Sequence, residues 1–433
     1  MAEVGHTRVL KIALPIVLSN ATVPLLGAVD TAVVGQMGLA APIGAVGLGA
    51  IVLASVYWIF GFLRMGTSGL AAQALGAGDR VELRAILLRA LAIGAAAGCV
   101  FVALQAPLVW AAFALAPASA EVEGLARQYL AIRIWGAPAT IALYAVTGWL
   151  IAQERTRAVL LLQLWMNGLN IALDLWFVLG LGWGVPGVAA ATLIAEWTGL
   201  GFGLWLCRSA FGPGLAAVWA RMRDARALRR MASVNTDIML RSVLLQGSFT
   251  AFLFLGAGFG DVTLAANQVL MQFLEITAYA LDGFAFAAEA LVGQAVGARS
   301  VAAVRQAARI SGLWGLGGAA LLALAFALFG PQIIDLMTTA PDVRTVARAH
   351  LWWLVAAPLI GVASWMFDGI FIGATRTRAM LACMAISVAA YAVALLVLLP
   401  FGNHGLWAAL MVLNATRGIS MALAYPAVER AAA

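Results

Sequence analysis

The chain has 433 residues, 64% of them hydrophobic and only 10% charged, with a mean hydropathy of +0.98. A water-soluble domain carries about 25% charged residues, so this composition excludes a compact domain bathed in water. The net charge of +7 does not indicate nucleic-acid binding, because the arginines punctuate apolar runs and build no basic face on a soluble domain.

Taken in chain order, the apolar runs predict twelve spans, at about 12–35, 44–73, 86–113, 128–151, 159–181, 186–206, 232–257, 263–295, 310–334, 350–374, 380–400 and 404–427. Each is about 20 residues or more, enough to cross a hydrocarbon core of roughly 30 Å. None shows the period-two alternation of a barrel strand, so the spans are read as helices. The first run, Ile12 to Gly35, is too long for the apolar part of a cleavable signal. Cys99, Cys207 and Cys383 fall in apolar stretches without metal or disulfide spacing and are read as packing residues.

The chain is written twice. Leu150-Ile151-Ala152-Gln153-Glu154-Arg155-Thr156-Arg157-Ala158-Val159-Leu160 returns 221 positions on as Phe371-Ile372-Gly373-Ala374-Thr375-Arg376-Thr377-Arg378-Ala379-Met380-Leu381, with six identities. At the same offset, Leu70-Ala71-Ala72-Gln73-Ala74-Leu75-Gly76-Ala77 returns as Leu291-Val292-Gly293-Gln294-Ala295-Val296-Gly297-Ala298. A duplicated half in a strongly apolar chain is the usual signature of a membrane transporter with a site between its repeats. The basic stretch Arg208–Arg230, which holds Gly212-Pro213-Gly214, separates the copies. The predicted organisation is an N-terminal six-helix lobe at 1–207, a cytoplasmic linker at 208–231 and a C-terminal six-helix lobe at 232–433. Six is even, so the repeat is parallel. The expected fold is therefore an all-α membrane protein of twelve transmembrane helices in two pseudo-symmetric lobes.

Nineteen of the 26 Lys and Arg residues fall in one set of loops, and Arg127, Arg133, Arg344 and Arg348 in the opposite set. That imbalance predicts both termini in the cytoplasm. Arg64, Arg241 and Arg417 lie within spans.

A carboxylate in mid-span costs about 2.5–3.5 kcal/mol on insertion scales, so each one is by default a functional hypothesis. The candidates are Asp30, Asp174, Glu196, Asp237, Glu275, Asp282, Glu289 and Asp368. Asp30 lies 19 residues past Lys11, about 28 Å along a helix, and Asp174 reaches a similar depth from Arg157. Asn170 and Asp174 share a helix face at i,i+4, Asn167 extends that stripe, and Thr192 on span six falls near the same depth. Two carboxylates, an amide and a hydroxyl, without an intramembrane basic partner nearby, suit a proton or Na⁺, since hard cations take oxygen ligands and close carboxylates hold a shared proton readily. The competing reading is that each acid simply hydrogen-bonds a neighbouring helix. Pro15 weakens span one and is a candidate hinge; Pro24 is a second breaker, and Asn20 is placed to satisfy a freed backbone group. In the second lobe Glu275, Asp282 and Glu289 repeat every seven residues along one stripe. They are cavity candidates together with Asp368 and Arg241, with structural ion pairing as the alternative for Glu289, Asp368, Arg241 and Arg64. Asp282 is the second-lobe candidate for substrate or proton binding, and Asp237 a solvated or capping acid. No zinc pair, catalytic triad or phosphate loop is visible, so the chain is not read as an enzyme.

These residues resemble the multidrug and toxic compound extrusion transporters. Pro15 with Asp30, Asn170 with Asp174, and Thr192 look like that family's first-lobe cation site. The runs Asp30-Thr31-Ala32-Val33-Val34-Gly35 and Gly76-Ala77-Gly78-Asp79 also fit, and Tyr279-Ala280-Leu281-Asp282-Gly283-Phe284-Ala285-Phe286 is similar to the branch of DNA-damage-inducible protein F. The resemblance implies export of amphipathic, often cationic small molecules from the inner membrane by alternating access, driven by H⁺ in preference to Na⁺. Na⁺ would use the same Asp30, Asn170, Asp174 and Thr192. It implies bending at Pro15, a second-lobe role for Asp368, a monomer in the lipid bilayer, and no cofactor beyond the coupling ion. The rival reading is a flippase for lipid-linked or polysaccharide precursors, which would want several intramembrane arginines for a pyrophosphate.

Overall fold

The structure, a computed structural model, describes residues 4–36, 39–115 and 118–433; the side chains of 25–28, 31 and 115 lie outside the described set, Thr31 among them. The described residues are helical almost throughout, without a strand. The first predicted span is delivered as two helices, α1 (His6–Ala21) and α2 (Val23–Gly35). There follow α3 (Ala40–Ile59), α4 (Gly61–Gly76), α5 (Arg80–Ala103), α6 (Gln105–Leu115), α7 (Ala120–Arg133), α8 (Ala137–Ala152), α9 (Thr156–Asp174) and α10 (Gly184–Leu206). After α11 (Leu215–Met222) come α12 (Ala225–Ala257), α13 (Asp261–Gly297), α14 (Val301–Met337), α15 (Pro341–Gly373), α16 (Thr377–Leu398), α17 (Gly402–Ala424) and the short α18 (Pro426–Glu429).

Among the described residues ten stretches are long and apolar enough to cross a membrane. One of them, Thr377–Ala424, holds both α16 and α17, separated by the 3₁₀ turn Leu399–Phe401 and by Gly402 at φ +66°. With that stretch divided and α1–α2 added, the helices fall in the order of the twelve predicted spans. Several spans are longer than hydropathy suggested. The fourth begins at Ala120, because α7 continues through the 3₁₀ turn Ile134–Gly136 into α8. Polar residues of α7 hid its first two turns.

The chain divides into two compact units. One contains Met1–Val17, Ala72–Gly78 and Arg230–Ala433; the other contains Leu18–Ala71 and Asp79–Arg229. Two short pieces from the sequence's first half thus pack with the second half. The repeat explains the piece at 72–78. A Cβ on Gly76 would lie 2.0 Å from the carbonyl oxygen of Gln294, and a Cβ on Gly297 would lie 2.0 Å from that of Gln73. Gly76 and Gly297 are repeat mates, as are Gln73 and Gln294, so the two copies of the motif cross reciprocally, glycine on backbone. Gln73 Nε2 also donates to Gly373 O at 2.9 Å, and Arg8 donates to Gln294 Oε1 at 3.0 Å. The segment around Pro15 packs likewise: a Cβ on Gly283 would meet Ala13 O at 2.7 Å.

The duplication extends to single backbone angles. Left-handed φ values occur at Glu154 (60°) and Thr375 (50°), and at Gly78 (73°) and Arg299 (53°), each pair one repeat apart. They end helices in the same way, with Arg155 N donating to Leu150 O and Arg376 N to Phe371 O, both at 2.9 Å. Asp79 and Ser300, again repeat mates, cap α5 and α14 by accepting from Glu82 N and Ala303 N. In the linker Asp224 accepts from Arg226 N at 2.8 Å, and these backbone donors at the start of α12 hold its carboxyl below the usual carboxylate range.

Gly76→Ala and Gly297→Ala should each destabilise the protein by about 1–3 kcal/mol, the usual range for overpacking. The atom met is backbone and cannot rotate away. The check is the melting temperature in detergent, which should fall for both variants. No fall in either would mean that the two helix ends do not touch.

Candidate cation-coupling site

In the unit Leu18–Ala71 with Asp79–Arg229, helices α2, α9 and α10 bring the four predicted residues together. Asn170 and Asp174 stand one turn apart on α9, and Asn170 Nδ2 donates to Asp174 Oδ2 at 2.7 Å. The same Nδ2 reaches Thr192 Oγ1 on α10 at 3.5 Å, and that hydroxyl donates to Val188 O at 3.0 Å. Asp30, on α2, is close enough to Asp174 for the two carboxyls to act on each other directly. Asp174 is fully buried and Asn170 is 1% exposed. Asp174 is also the last α-helical residue before a π-helical stretch, Leu175–Gly180, a local widening common at functional sites.

Three buried oxygens of this cluster, Asp30 Oδ1, Asp174 Oδ1 and Asn170 Oδ1, have no hydrogen-bond partner among the described residues. A buried acceptor left without a donor costs about 1–3 kcal/mol. Three such acceptors in one cluster are a set that a proton or a small cation would satisfy.

Asn167, one turn before Ile171 on α9, donates to Thr22 Oγ1 at 2.9 Å and to Thr22 O at 3.3 Å. Thr22 is where the first span breaks, and its hydroxyl donates to Ser19 O at 2.7 Å. Pro24 follows in the first turn of α2. Pro15 is buried inside α1, which runs unbroken through it. The visible interruption is therefore at Thr22–Pro24, seven residues beyond the expected hinge. Pro15 lies two residues before the point where the chain passes from one compact unit to the other.

Sequence reasoning placed Arg133 in an outer loop; the structure places it in the interior. It ends α7 and forms a bidentate pair with Glu196 of α10, Nη1 to Oε2 at 2.6 Å and Nη2 to Oε1 at 2.9 Å. The expectation that no basic group lies near Asp30 and Asp174 is corrected by the same residue, whose charge acts on both carboxylates. Tyr129, four residues earlier on α7, also lies within electrostatic reach of Arg133. Glu196, an intramembrane acid without a visible counterion, was the only sequence signal of this pair.

In the other unit the charges are arranged differently. Asp368 of α15 accepts from both Arg241 of α12 and Arg417 of α17 on a single oxygen, Oδ2. Arg241 and Arg417 are 5% and 3% exposed. This realises the ion-pair reading of Asp368 and Arg241 and leaves Asp368 poorly suited to bind an incoming cation. The stripe on α13 is graded: Glu289 is buried, Asp282 half-buried and Glu275 exposed. Asp282 faces the charge of Arg417. Asp237 accepts from Thr377 Oγ1 at 2.9 Å, as a local polar contact near a helix start.

Membrane-length helices written in two related halves, with a buried cluster of acceptor oxygens within one compact unit, define an α-helical membrane protein. The model of the MatE family matches residues 15–176 and again 238–398, once in each half. The chain belongs to the MatE family, whose members are transporters and not enzymes. It is 41% identical over 416 residues to DNA damage-inducible protein F of Escherichia coli, covering 95% of this chain and 90% of that one. It is 28% identical over 377 residues to the probable multidrug resistance protein NorM of Synechococcus, covering 82% and 76% respectively. The crystal structure of the Vibrio cholerae MATE transporter VcmN in its bent form superposes with a TM-score of 0.87, over 99% of this chain and 97% of that one, at 21% identity. The structural likeness establishes the shared fold. The family establishes a multi-pass efflux transporter of small compounds that works on an ion gradient.

Proposed function

We propose that this chain exports amphipathic, often cationic small molecules across the cytoplasmic membrane in exchange for inward H⁺, with Asp30 and Asp174 as the proton-carrying pair. The observation that carries the reading is the trio of buried, donor-less oxygens on Asp30, Asp174 and Asn170. Two ionised carboxylates in a low-dielectric site repel, so carboxyls that act on each other directly favour a proton held between them. That contact is the argument for H⁺ over Na⁺. Thr192 completes the polar wall.

The stripe Asn167–Asn170–Asp174 runs from the Thr22 break to the carboxylates. A change of charge at Asp30 and Asp174 is thereby passed to the weakest point of the first span, with Pro15 as a second point of bending. Alternating access would follow from reshaping of this helix. The lobes at 1–207 and 232–433 are the repeated halves, joined by 208–231, with both termini in the cytoplasm as the Lys and Arg distribution requires. Asp282 remains the second-lobe candidate for contact with substrate. A lipid-precursor flippase would need intramembrane arginines available for a pyrophosphate, and here Arg241 and Arg417 are both engaged by Asp368.

The test is export of ethidium, a lipophilic cation, from proteoliposomes of the wild-type monomer under an imposed pH gradient or an imposed Na⁺ gradient. The pH gradient should drive export and the Na⁺ gradient should not. Export driven by Na⁺ alone would reverse the choice of ion, and equal flux without any gradient would end the antiport reading.

A further inference from the structure

The Arg133–Glu196 pair takes no part in the proton chemistry above, yet it lies beside it. Both side chains are nearly buried, at 8% and 9% exposure. A buried ion pair is a poor way to hold two helices together, because desolvation offsets its attraction and an apolar pair would often serve as well. What apolar residues would not supply is a permanent positive charge next to two carboxylates. Arg133 acts on Asp30 of α2, Asp174 of α9, Tyr57 of α3 and Tyr129 of α7. The other charged and titratable groups facing this cluster are Glu196 of α10, Tyr144 of α8 and Arg64 of α4, and Arg64 acts on Tyr144. Among the described residues Arg133 is the cation that addresses both carboxylates.

The guanidinium keeps a donor in reserve. Its Nε has no hydrogen-bond partner among the described residues. Tyr129, one turn before Arg133 on α7, is within electrostatic reach of both Arg133 and Asp30. The α-helix ends at Arg133, and the 3₁₀ turn Ile134–Gly136 follows. Gly136 is what admits Glu196: a Cβ there would lie 2.1 Å from Glu196 Oε2.

We propose that Arg133 is a resident counter-cation, parked on Glu196 while the Asp30–Asp174 pair holds its coupling ion and drawn towards the two carboxylates when that ion leaves. The proposal rests on the coupling role of Asp30 and Asp174. An emptied pair carries two like charges in a low dielectric, and a guanidinium, always charged and weakly hydrated, compensates them without admitting water. The next ion to arrive sends Arg133 back to Glu196. Arg133 is in this sense a positioning residue. It sets how tightly the site holds its ion, and it makes release from the loaded state possible.

The experiment measures the pH of half-maximal ethidium export in proteoliposomes. Glu196→Gln removes the parking carboxylate and frees the guanidinium to favour the emptied pair, so the half-maximal pH should fall by about one unit, a tenfold weaker hold on the proton. Gly136→Ala, which pushes Glu196 away without altering any charge, should move it in the same direction. The double variant Arg133→Gln with Glu196→Gln removes both charges and leaves none orphaned, and its half-maximal pH should rise. Any variant too slow in export is titrated instead by the pH dependence of ethidium binding to the purified protein in detergent. Shifts of opposite sign support the counter-cation. Unshifted midpoints, or shifts all of one sign, would reduce the pair to a structural contact. Asp30→Asn separates the two ideas: if it keeps gradient-driven export, the coupling role itself is wrong. If it is inactive while the Glu196 variants keep the wild-type midpoint, only the counter-cation is lost.

Discussion

Asp30→Asn should insert and fold normally and reduce gradient-driven ethidium export to the passive leak. The amide has the shape of the carboxyl it replaces but neither takes up nor releases a proton. Its NH₂ would donate to the orphan oxygen of Asp174 and hold the pair as though loaded. The orphan at Asp174 Oδ1 is relieved by that same donation, so the stability change should stay within about 1 kcal/mol, the range of mild substitutions. Asp174→Asn should give the same loss of export, because either carboxyl alone lacks the partner that makes the proton exchangeable. The measurement is initial export rate at fixed gradient, with melting temperature as the control for folding. Full export by both variants would remove the pair from the mechanism.

The fold was legible in the sequence because its two strongest signals are long in range and simple in kind. Apolar length dictates spanning helices, and the 221-residue repeat dictates two related halves. The coupling cluster was also legible, because Asn170 and Asp174 are one turn apart on one helix and depth could be counted from the flanking basic residues. What failed was pairing between helices. Arg133 and Glu196 are 63 residues apart, and nothing in periodicity says which faces of α7 and α10 meet. The error had a cause: the polar start of α7 made the span appear to begin at 128, eight residues late, and placed Arg133 at the membrane edge. The helix begins at Ala120, which puts Arg133 about 20 Å along it. Arg417 was seen to lie within a span, but its convergence with Arg241 on Asp368 depends on the register of three helices. The Gly76–Gln294 and Gly297–Gln73 crossings, by contrast, follow from a repeat that meets its own copy.

Asp368→Ala should do the opposite of Asp30→Asn, destabilising the protein by about 3–5 kcal/mol, the usual cost of breaking a buried ion pair by removing one partner. Asp368 is the same residue type, also within a predicted span, but its Oδ2 is taken by two buried arginines from different helices. Without the carboxylate, Arg241 and Arg417 would face each other as like charges in a site from which both are almost wholly shielded. The attachment of α12 and α17 to α15 would turn from attraction into repulsion. The expected result is a lower melting temperature and a broadened gel-filtration peak in detergent, before any question of transport. Adding Arg417→Met to Asp368→Ala should recover part of the loss, since one of the two like charges is removed and the volume is kept. Asp368→Asn should fall between, because its amide oxygen still accepts from a guanidinium while its NH₂ opposes one. If Asp368→Ala instead melted like wild type and lost only ion-driven export, the carboxylate would be a working part of the cycle and the arginine clamp no anchor.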